Sequence, residues 1–140
     1  LVSTLQRHRE AGVVSPLVYP GSGRRRGRRR GAALVETFYP PRGYCMLIRK
    51  SAFLQVGPFD ERYLKWGCED TDWGFRMLSR SWRHLVRLDT EVRHPGHASF
   101  GRKAVRSREW YQNAALFWFK HDFLPMQSDI TWKCLSGGGR

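Results

Sequence analysis

The sequence predicts a small α/β domain, because strand-like apolar runs alternate with amphipathic helical segments along the chain. Val13–Val18 and Tyr44–Ile48 are mostly apolar runs of strand length, whereas Lys50–Val56 and Glu69–Arg80 carry apolar residues at helical spacing. Among 140 residues, 41% are hydrophobic and 14% aromatic, which is typical of a globular protein and not of a disordered one.

The same patterns predict the remaining elements. Leu1–Leu5 has helical spacing, and Gly12 is expected to end that short helix in a left-handed cap. The strand that starts at Val13 is expected to be buried and to end at Pro20. The other predicted elements are a short strand at Leu34–Phe38, an interior strand at Tyr44–Ile48, strand-like segments at Trp82–Leu88 and Glu91–Arg93, and an amphipathic helix at Arg108–Phe123.

The net charge of +13 is concentrated in one segment. Arg24–Arg30 contributes six arginines within the Gly/Ser/Arg-rich stretch Gly21–Gly31, which is expected to be a mobile, solvated loop. The rest of the chain is still basic, and this favours a partner that carries phosphates, such as a nucleotide, an anionic lipid surface or nucleic acid.

Cysteine usage and hydropathy indicate the cellular compartment in which the protein is expected. The three cysteines, Cys45, Cys68 and Cys134, are widely spaced, which favours free thiols in a reducing environment. A zinc site that combines them with His97 is disfavoured, because no pair has the short spacing of structural zinc ligands. No apolar run is long enough to span a bilayer. We therefore expect a cytoplasmic protein, with peripheral contact with the inner face of the plasma membrane as an alternative.

The most unusual segment is Trp66–Trp73, in which three carboxylates, Glu69, Asp70 and Asp72, lie between two tryptophans. At the start of a helix, carboxylates are stabilised by the free backbone N–H groups and the helix dipole. Ionised carboxylates there can accept a proton or face a cation. The alternative is that Asp70 and Asp72 only cap the helix.

An ordered set of motifs surrounds this segment. It consists of Gly43-Tyr44-Cys45-Met46-Leu47-Ile48-Arg49-Lys50, Val56-Gly57-Pro58-Phe59-Asp60-Glu61, Glu69-Asp70-Thr71-Asp72-Trp73 with Arg76, and Val92-Arg93-His94-Pro95-Gly96-His97-Ala98-Ser99. In this order and spacing, the chain resembles the C-terminal half of a GT-A glycosyltransferase of the family-2, rhamnosyltransferase-like kind. The family usually has glycine where Ser81 stands here.

This resemblance implies an α/β fold of the GT-A (Rossmann-like) kind that lacks its N-terminal nucleotide-binding side. It implies that Asp70 is the catalytic base and that Glu69 orients it or contacts the acceptor. It also implies a substrate site that includes Gly43, Tyr44, Asp60, Glu61, Trp66, Asp72, Trp73 and Arg76. Phe59, in contrast, is expected to fill the core.

For the metal, the resemblance implies that His94 approaches a divalent cation and the donor diphosphate, with His97 as the alternative ligand. Imidazole favours Mn²⁺ over Mg²⁺, although either ion is compatible. His8, His84 and His121 are interpreted as surface or core residues. The expected partners are a nucleotide-sugar donor and a glycan or lipid-linked acceptor.

Two functions from different classes follow. The first is the acceptor-side half of an inverting glycosyltransferase, spanning residues 1–124 with a tail at 125–140, a fragment that is expected to be inactive alone. The second is a non-catalytic basic module that binds nucleic acid or anionic lipid through Arg24–Arg30. We favour the first, because the arginine run lies outside the motif block, whose centre is acidic, and no recognised nucleic-acid motif is present.

Overall fold

The computed structural model describes residues 1–20, 33–38, 41, 43–64, 67–94 and 108–122. Within these ranges the chain forms four helices and four strands. In chain order they are α1 Val2–Arg7, β1 Ala11–Pro20, β2 Leu34–Thr37, β3 Leu47–Ile48, α2 Lys50–Val56, α3 Glu69–Leu78, β4 Arg83–His94 and α4 Arg108–His121. The predicted α/β class is thus confirmed, as a small domain with one mixed sheet.

In the described ranges the sheet has the strand order β2-β4-β1-β3. The central pair, β1 and β4, is parallel, whereas β2 and β3 pair antiparallel with their neighbours. Beyond Pro16, the register along β1 jumps from Arg87 of β4 to Glu91. This irregularity explains why the sequence suggested two separate strand segments where the structure has the single strand β4.

Alternating side chains of β1 supply both faces of the sheet, as the two-residue period of a strand requires. Val13 packs against α2 and α3, together with Val56, Trp73 and Met77, all of which are buried. Val14 packs on the opposite face in a second cluster, to which α1 and β2 contribute. Further members of the two clusters include Phe53 and Phe59 on the first side and Leu1, Leu5, Leu34 and Leu85 on the second. The prediction that Phe59 fills the core is confirmed.

Gly12 was wrongly predicted as a helix cap. Helix α1 ends at Arg7, followed by His8, and Gly12 lies within β1. A Cβ atom added at Gly12 would lie 2.8 Å from Met77 Sδ and 2.9 Å from Trp82 Cβ. Glycine is therefore required at this position because α3 and the start of β4 pack directly onto the backbone of β1.

Tyr44–Ile48 was wrongly predicted as an interior strand. Only Leu47–Ile48 is a strand, and β3 lies at an edge of the sheet formed by the described residues. Gly43–Cys45 forms a turn instead. The backbone of this turn contacts the start of α3, so the segment contributes to the predicted site and not to the sheet.

Helix α4 covers α3 through a third cluster, in which Phe117 packs with Tyr63 and Cys68. The aromatic residues of α4 are divided between the core and the surface: Phe117 is fully buried, whereas Tyr111, Trp118 and Phe119 are 58%, 48% and 84% exposed. No helix in the described part of the chain is long and apolar enough to cross a membrane.

Candidate active site

The predicted site begins at the turn into α3. Gly67 and Cys68 both have left-handed backbone conformations, with φ angles of 98° and 73°. The side-chain amide of Asn113 in α4 fixes this turn, because it donates hydrogen bonds to the carbonyl oxygens of Leu64 and Gly67 at 2.9 and 3.0 Å. The chain thus enters α3 with Glu69 and Asp70 in the first helical turn.

Asp70, the predicted base, accepts hydrogen bonds on both carboxylate oxygens. The backbone N–H of Gly43 donates to Oδ2 at 2.6 Å. Thr71 donates to Oδ1 through its backbone N–H at 2.6 Å and through its hydroxyl at 3.1 Å. The N–H of Thr71 lies in the first turn of α3, where backbone N–H groups lack an intrahelical acceptor, so Asp70 both satisfies this donor and connects α3 to the Gly43 turn.

The backbone of Gly43 thus approaches Asp70 closely. A Cβ added at Gly43 would lie 3.4 Å from Asp70 Oδ2 and 3.7 Å from Asp70 Cβ. The partner of Gly43 is the predicted catalytic carboxylate itself, although the two residues are 27 positions apart.

Glu69 has a different environment from its neighbour Asp70. Its Oε2 atom is buried and has no hydrogen-bond partner among the described residues. Burial raises the pKa of Glu69 and the charge of Asp70 adds to this, whereas hydrogen bonds from backbone N–H groups of Glu69 and Gly67 oppose it. Glu69 is therefore more easily protonated than an exposed glutamate.

His94 lies at the end of β4, where the side chain of Tyr44 covers one face of its imidazole. The two ring centroids are 4.0 Å apart and the ring planes differ by 20°. Tyr44 is still 47% exposed. The adjacent residues Gly43 and Tyr44 thus contact Asp70 and His94, respectively, the residues that the sequence predicted as base and metal ligand.

Of three further residues predicted to contact substrate, two lie in the interior and the third, Arg76, is half-buried. Asp72 and Trp73 are fully buried, and the indole N–H of Trp73 donates to the carbonyl oxygen of Gly57 at 2.8 Å. The guanidinium of Arg76 binds Asp72 Oδ2 at 2.9 Å and backbone carbonyl oxygens of the α2 end and the turn that follows it. These contacts stabilise the packing of α3. That Asp72, Trp73 and Arg76 contact substrate stays a prediction.

Asp72 is also the point at which α4 is attached to α3. Its Oδ1 atom binds Lys120 Nζ at 2.6 Å and His121 Nε2 at 2.9 Å, and the hydroxyl of Tyr63 lies 3.3 Å away. Burial alone would raise the pKa of Asp72, but the hydrogen bonds from Lys120, His121 and Arg76 outweigh it and lower the pKa.

Sequence reasoning missed the roles of Lys120 and His121, of which it interpreted His121 only as a surface or core residue. Both side chains instead point towards Asp72. Only the Asp72–Arg76 pair, at i and i+4 on one helix, had a local sequence signal. Lys120 and His121 are distant from Asp72 in sequence and become its neighbours only when α4 packs against α3.

Asp60 and Glu61 lie in the turn between α2 and α3. Asp60 accepts hydrogen bonds from the guanidinium of Arg62 and from Lys120 Nζ, both at 2.7 Å, and these donors hold its pKa well below the usual range. Glu61 is exposed. Whether either residue helps to shape an acceptor site, as predicted, stays a prediction.

The structure describes some of the remaining predicted residues and not others. Trp66, His97 and Arg24–Arg30 lie outside them. His84 is buried, 2.9 Å from Ser15 Oγ, and His8 lies on the surface. Cys45 and Cys68 are free thiols, and burial raises the pKa of Cys68 to about 12.

The described residues alone do not fit a metal centre. No group of three or more histidine, cysteine, aspartate or glutamate side chains within them is arranged to hold a metal ion. His94 is one predicted ligand, so further ligands would have to come from other parts of the protein.

The comparisons with known proteins address the segment that contains this site. Residues 35–99 match the family model for the N-terminal domain of galactosyltransferase. Residues 35–99 are thus similar to part of a glycosyltransferase domain. This glycosyltransferase segment includes Gly43, Tyr44, Asp70 and His94, and the family resemblance predicted from the motifs is thus confirmed.

Two curated relatives of this chain are both named N-acetylglucosaminyl-diphospho-decaprenol L-rhamnosyltransferase. They come from Mycobacterium tuberculosis strains CDC 1551 / Oshkosh and ATCC 25618 / H37Rv. Each is 45% identical over 60 residues, which cover 43% of this chain and 19% of the relative. The match thus spans about one fifth of the length of these relatives. No solved structure matches the chain.

Proposed function

We propose that the chain is the acceptor-side part of an inverting glycosyltransferase with a GT-A fold, in which Asp70 is the catalytic base. The observation that supports this most directly is the position of Asp70. It is fixed from two directions by Gly43 and Thr71, within the segment that matches glycosyltransferases.

The geometry of Asp70 suits a general base. An ionised carboxylate can accept about four hydrogen bonds. Gly43 and Thr71 supply three of them, so the hydroxyl of an acceptor would complete the set. In the proposed reaction, Asp70 takes the proton of this hydroxyl while its oxygen bonds to the anomeric carbon of the donor sugar. The bond from that carbon to the nucleotide diphosphate breaks, and the diphosphate leaves with the electron pair.

The substrates are proposed only as classes. The family description names a galactosyltransferase, whereas the relatives are named as rhamnosyltransferases acting with an N-acetylglucosaminyl-diphospho-decaprenol. We therefore propose a nucleotide-sugar donor that carries a hexose or deoxyhexose and a glycan or lipid-linked acceptor. A divalent cation, Mn²⁺ or Mg²⁺, with His94 or His97 as a ligand, is retained as a prediction. Such an ion would neutralise the leaving diphosphate.

The test is the substitution Asp70→Asn in the protein with its complete glycosyltransferase domain. Transfer from nucleotide-activated L-rhamnose and galactose would be measured, together with nucleotide binding. We expect kcat to fall at least about 100-fold, which is typical of losing a general base, while nucleotide affinity changes less than about twofold.

The matched control is Asp89→Asn, an identical change on β4, where Asp89 is exposed and pairs only locally with Arg87. This variant should retain full turnover. If Asp70→Asn also retains turnover, Asp70 is not the base and the proposed mechanism is wrong.

A further inference from the structure

The Gly43-Tyr44 dipeptide contacts both Asp70, which the sequence predicted as the base, and His94, which it predicted as a metal ligand. The N–H of Gly43 binds Asp70 Oδ2, and the phenol ring of the next residue, Tyr44, lies parallel to the imidazole of His94. A displacement of this turn would therefore move the surroundings of Asp70 and His94 together.

We propose that Tyr44 is a positioning residue that fixes the orientation of the His94 imidazole. The consequence for catalysis rests on the function proposed above. That Tyr44 fixes the orientation of the imidazole rests on the stacking alone. Parallel aromatic rings at a centroid distance of 4.0 Å attract each other and exclude water from the shared face.

The surroundings of the pair explain why the histidine needs such a partner. His94 is the last residue of β4, and the neighbouring position on β1 is Pro20, the last residue of that strand. Within the part of the chain that the structure describes, the ring of Tyr44 covers one face of the His94 imidazole and so restricts its rotamers. Because the tyrosine ring covers a face of the imidazole, it does not cover the edge that carries both nitrogens.

Tyr44 differs from a simple core aromatic residue because it remains 47% exposed. Its packing contributes less to the core than that of the fully buried Trp73 and Phe117. An exposed tyrosine that covers one face of a histidine predicted as a metal ligand is better explained by positioning than by core stability.

The experiment uses histidine-labelled protein with the complete glycosyltransferase domain and compares Tyr44→Leu with Tyr44→Phe by NMR. In the unchanged protein, the ring protons of His94 should show an upfield shift from the tyrosine ring and contacts to its protons. Tyr44→Phe should retain both signatures together with a single His94 rotamer. Tyr44→Leu should lose the shift and average the rotamers.

The matched control is Tyr111→Leu, the same change at a tyrosine of similar exposure on α4, which should leave the His94 signals unchanged. In the transfer assay, Tyr44→Leu should lower kcat about tenfold with little change in KM, and Tyr44→Phe should restore it.

The absence of tyrosine contacts to His94 in the unchanged protein would overturn the proposal, whether or not any variant folds. So would an unchanged His94 rotamer in Tyr44→Leu. If the complete protein transfers no sugar, the proposed function fails, while the NMR signatures still decide whether Tyr44 positions His94.

Discussion

The backbone N–H of Gly43 donates a 2.6 Å hydrogen bond to Oδ2 of Asp70, so the turn before β3 and the start of α3 meet at one carboxylate. Because the donor is a main-chain group, most substitutions at position 43 would retain it but would add a side chain close to Asp70. Glycine at this position therefore keeps the carboxylate fixed and leaves the space beside it open.

Replacing Asp72 should destabilise the protein strongly. We expect Asp72→Asn to lower the free energy of unfolding by about 3 kcal/mol, because it removes the charge that Arg76, Lys120 and His121 surround. The effect should be at the lower end for a buried ion pair, since the side chains of Arg76 and Lys120 are 22% and 21% exposed. Urea unfolding at neutral pH measures it.

The control for this variant is Asp89→Asn, which changes an exposed ion pair and should leave stability nearly unaltered. An equal effect of the two substitutions would show that the Asp72 cluster does not hold α4 against α3.

Replacing Glu69 should stabilise the protein, in contrast to replacing Asp72. Its folded-state pKa is raised above 4.5, so its contribution to stability is fully present below pH 4.5 and is lost as the pH rises through the folded pKa. Glu69→Gln should therefore be more stable than the unchanged protein at pH 8, by on the order of 1 kcal/mol, and this gain should shrink at pH 4.

The measurement is urea unfolding of both proteins at the two pH values. The same change at Glu61, which is exposed, should give no pH-dependent difference. If the gain of Glu69→Gln is equal at pH 4 and pH 8, the buried carboxylate is not its cause.

Local sequence patterns correctly predicted the helices whose formation depends on the spacing of apolar residues. The helices Lys50–Val56 and Glu69–Leu78 follow from apolar spacing, and the observed bounds differ from the predicted ones by at most two residues. The departure from glycine at Ser81 was also informative, because this residue has a φ angle of 63°. No local pattern indicated that Gly43 would bind Asp70.

The predictions from sequence failed for features that depend on contacts between segments distant in the chain. An apolar run such as Tyr44–Ile48 has the same composition at an edge as in the interior of a sheet, so its position depends on strand order. The burial of Asp72 depends on Lys120 and His121, which follow it by almost fifty residues. The stacking of Tyr44 on His94 likewise depends on where β4 ends relative to the Gly43 turn.

Arg49 connects three segments in a way that sequence reasoning did not anticipate. Its guanidinium donates hydrogen bonds to the carbonyl oxygens of Leu5, His8 and Ala11, which are the end of α1 and the start of β1. Lysine cannot reproduce this fork-shaped set of donors. We expect Arg49→Lys to lower the free energy of unfolding by about 2 kcal/mol, measured by urea titration.

The matched control is Arg83→Lys, because Arg83 is about half exposed and binds Glu36 at the surface. Its substitution should change stability by less than about 0.5 kcal/mol. Similar losses for the two variants would mean that the carbonyl contacts of Arg49 do not stabilise the fold.

Ser81 offers a stabilising substitution. Its φ angle of 63° places a side-chain-bearing residue in the left-handed region, which costs roughly 1 to 2 kcal/mol relative to glycine before the greater chain entropy of glycine is subtracted. The residue is exposed, so no packing is lost. We expect Ser81→Gly to raise the free energy of unfolding by about 0.5 kcal/mol.

The matched control is Ser79→Gly, two residues earlier. Ser79 has a φ angle of −64°, and this substitution should lower the free energy of unfolding, because the right-handed conformation suits serine. Thermal and urea unfolding of both variants would measure the difference, and a loss of stability in Ser81→Gly would show that the turn after α3 is not strained.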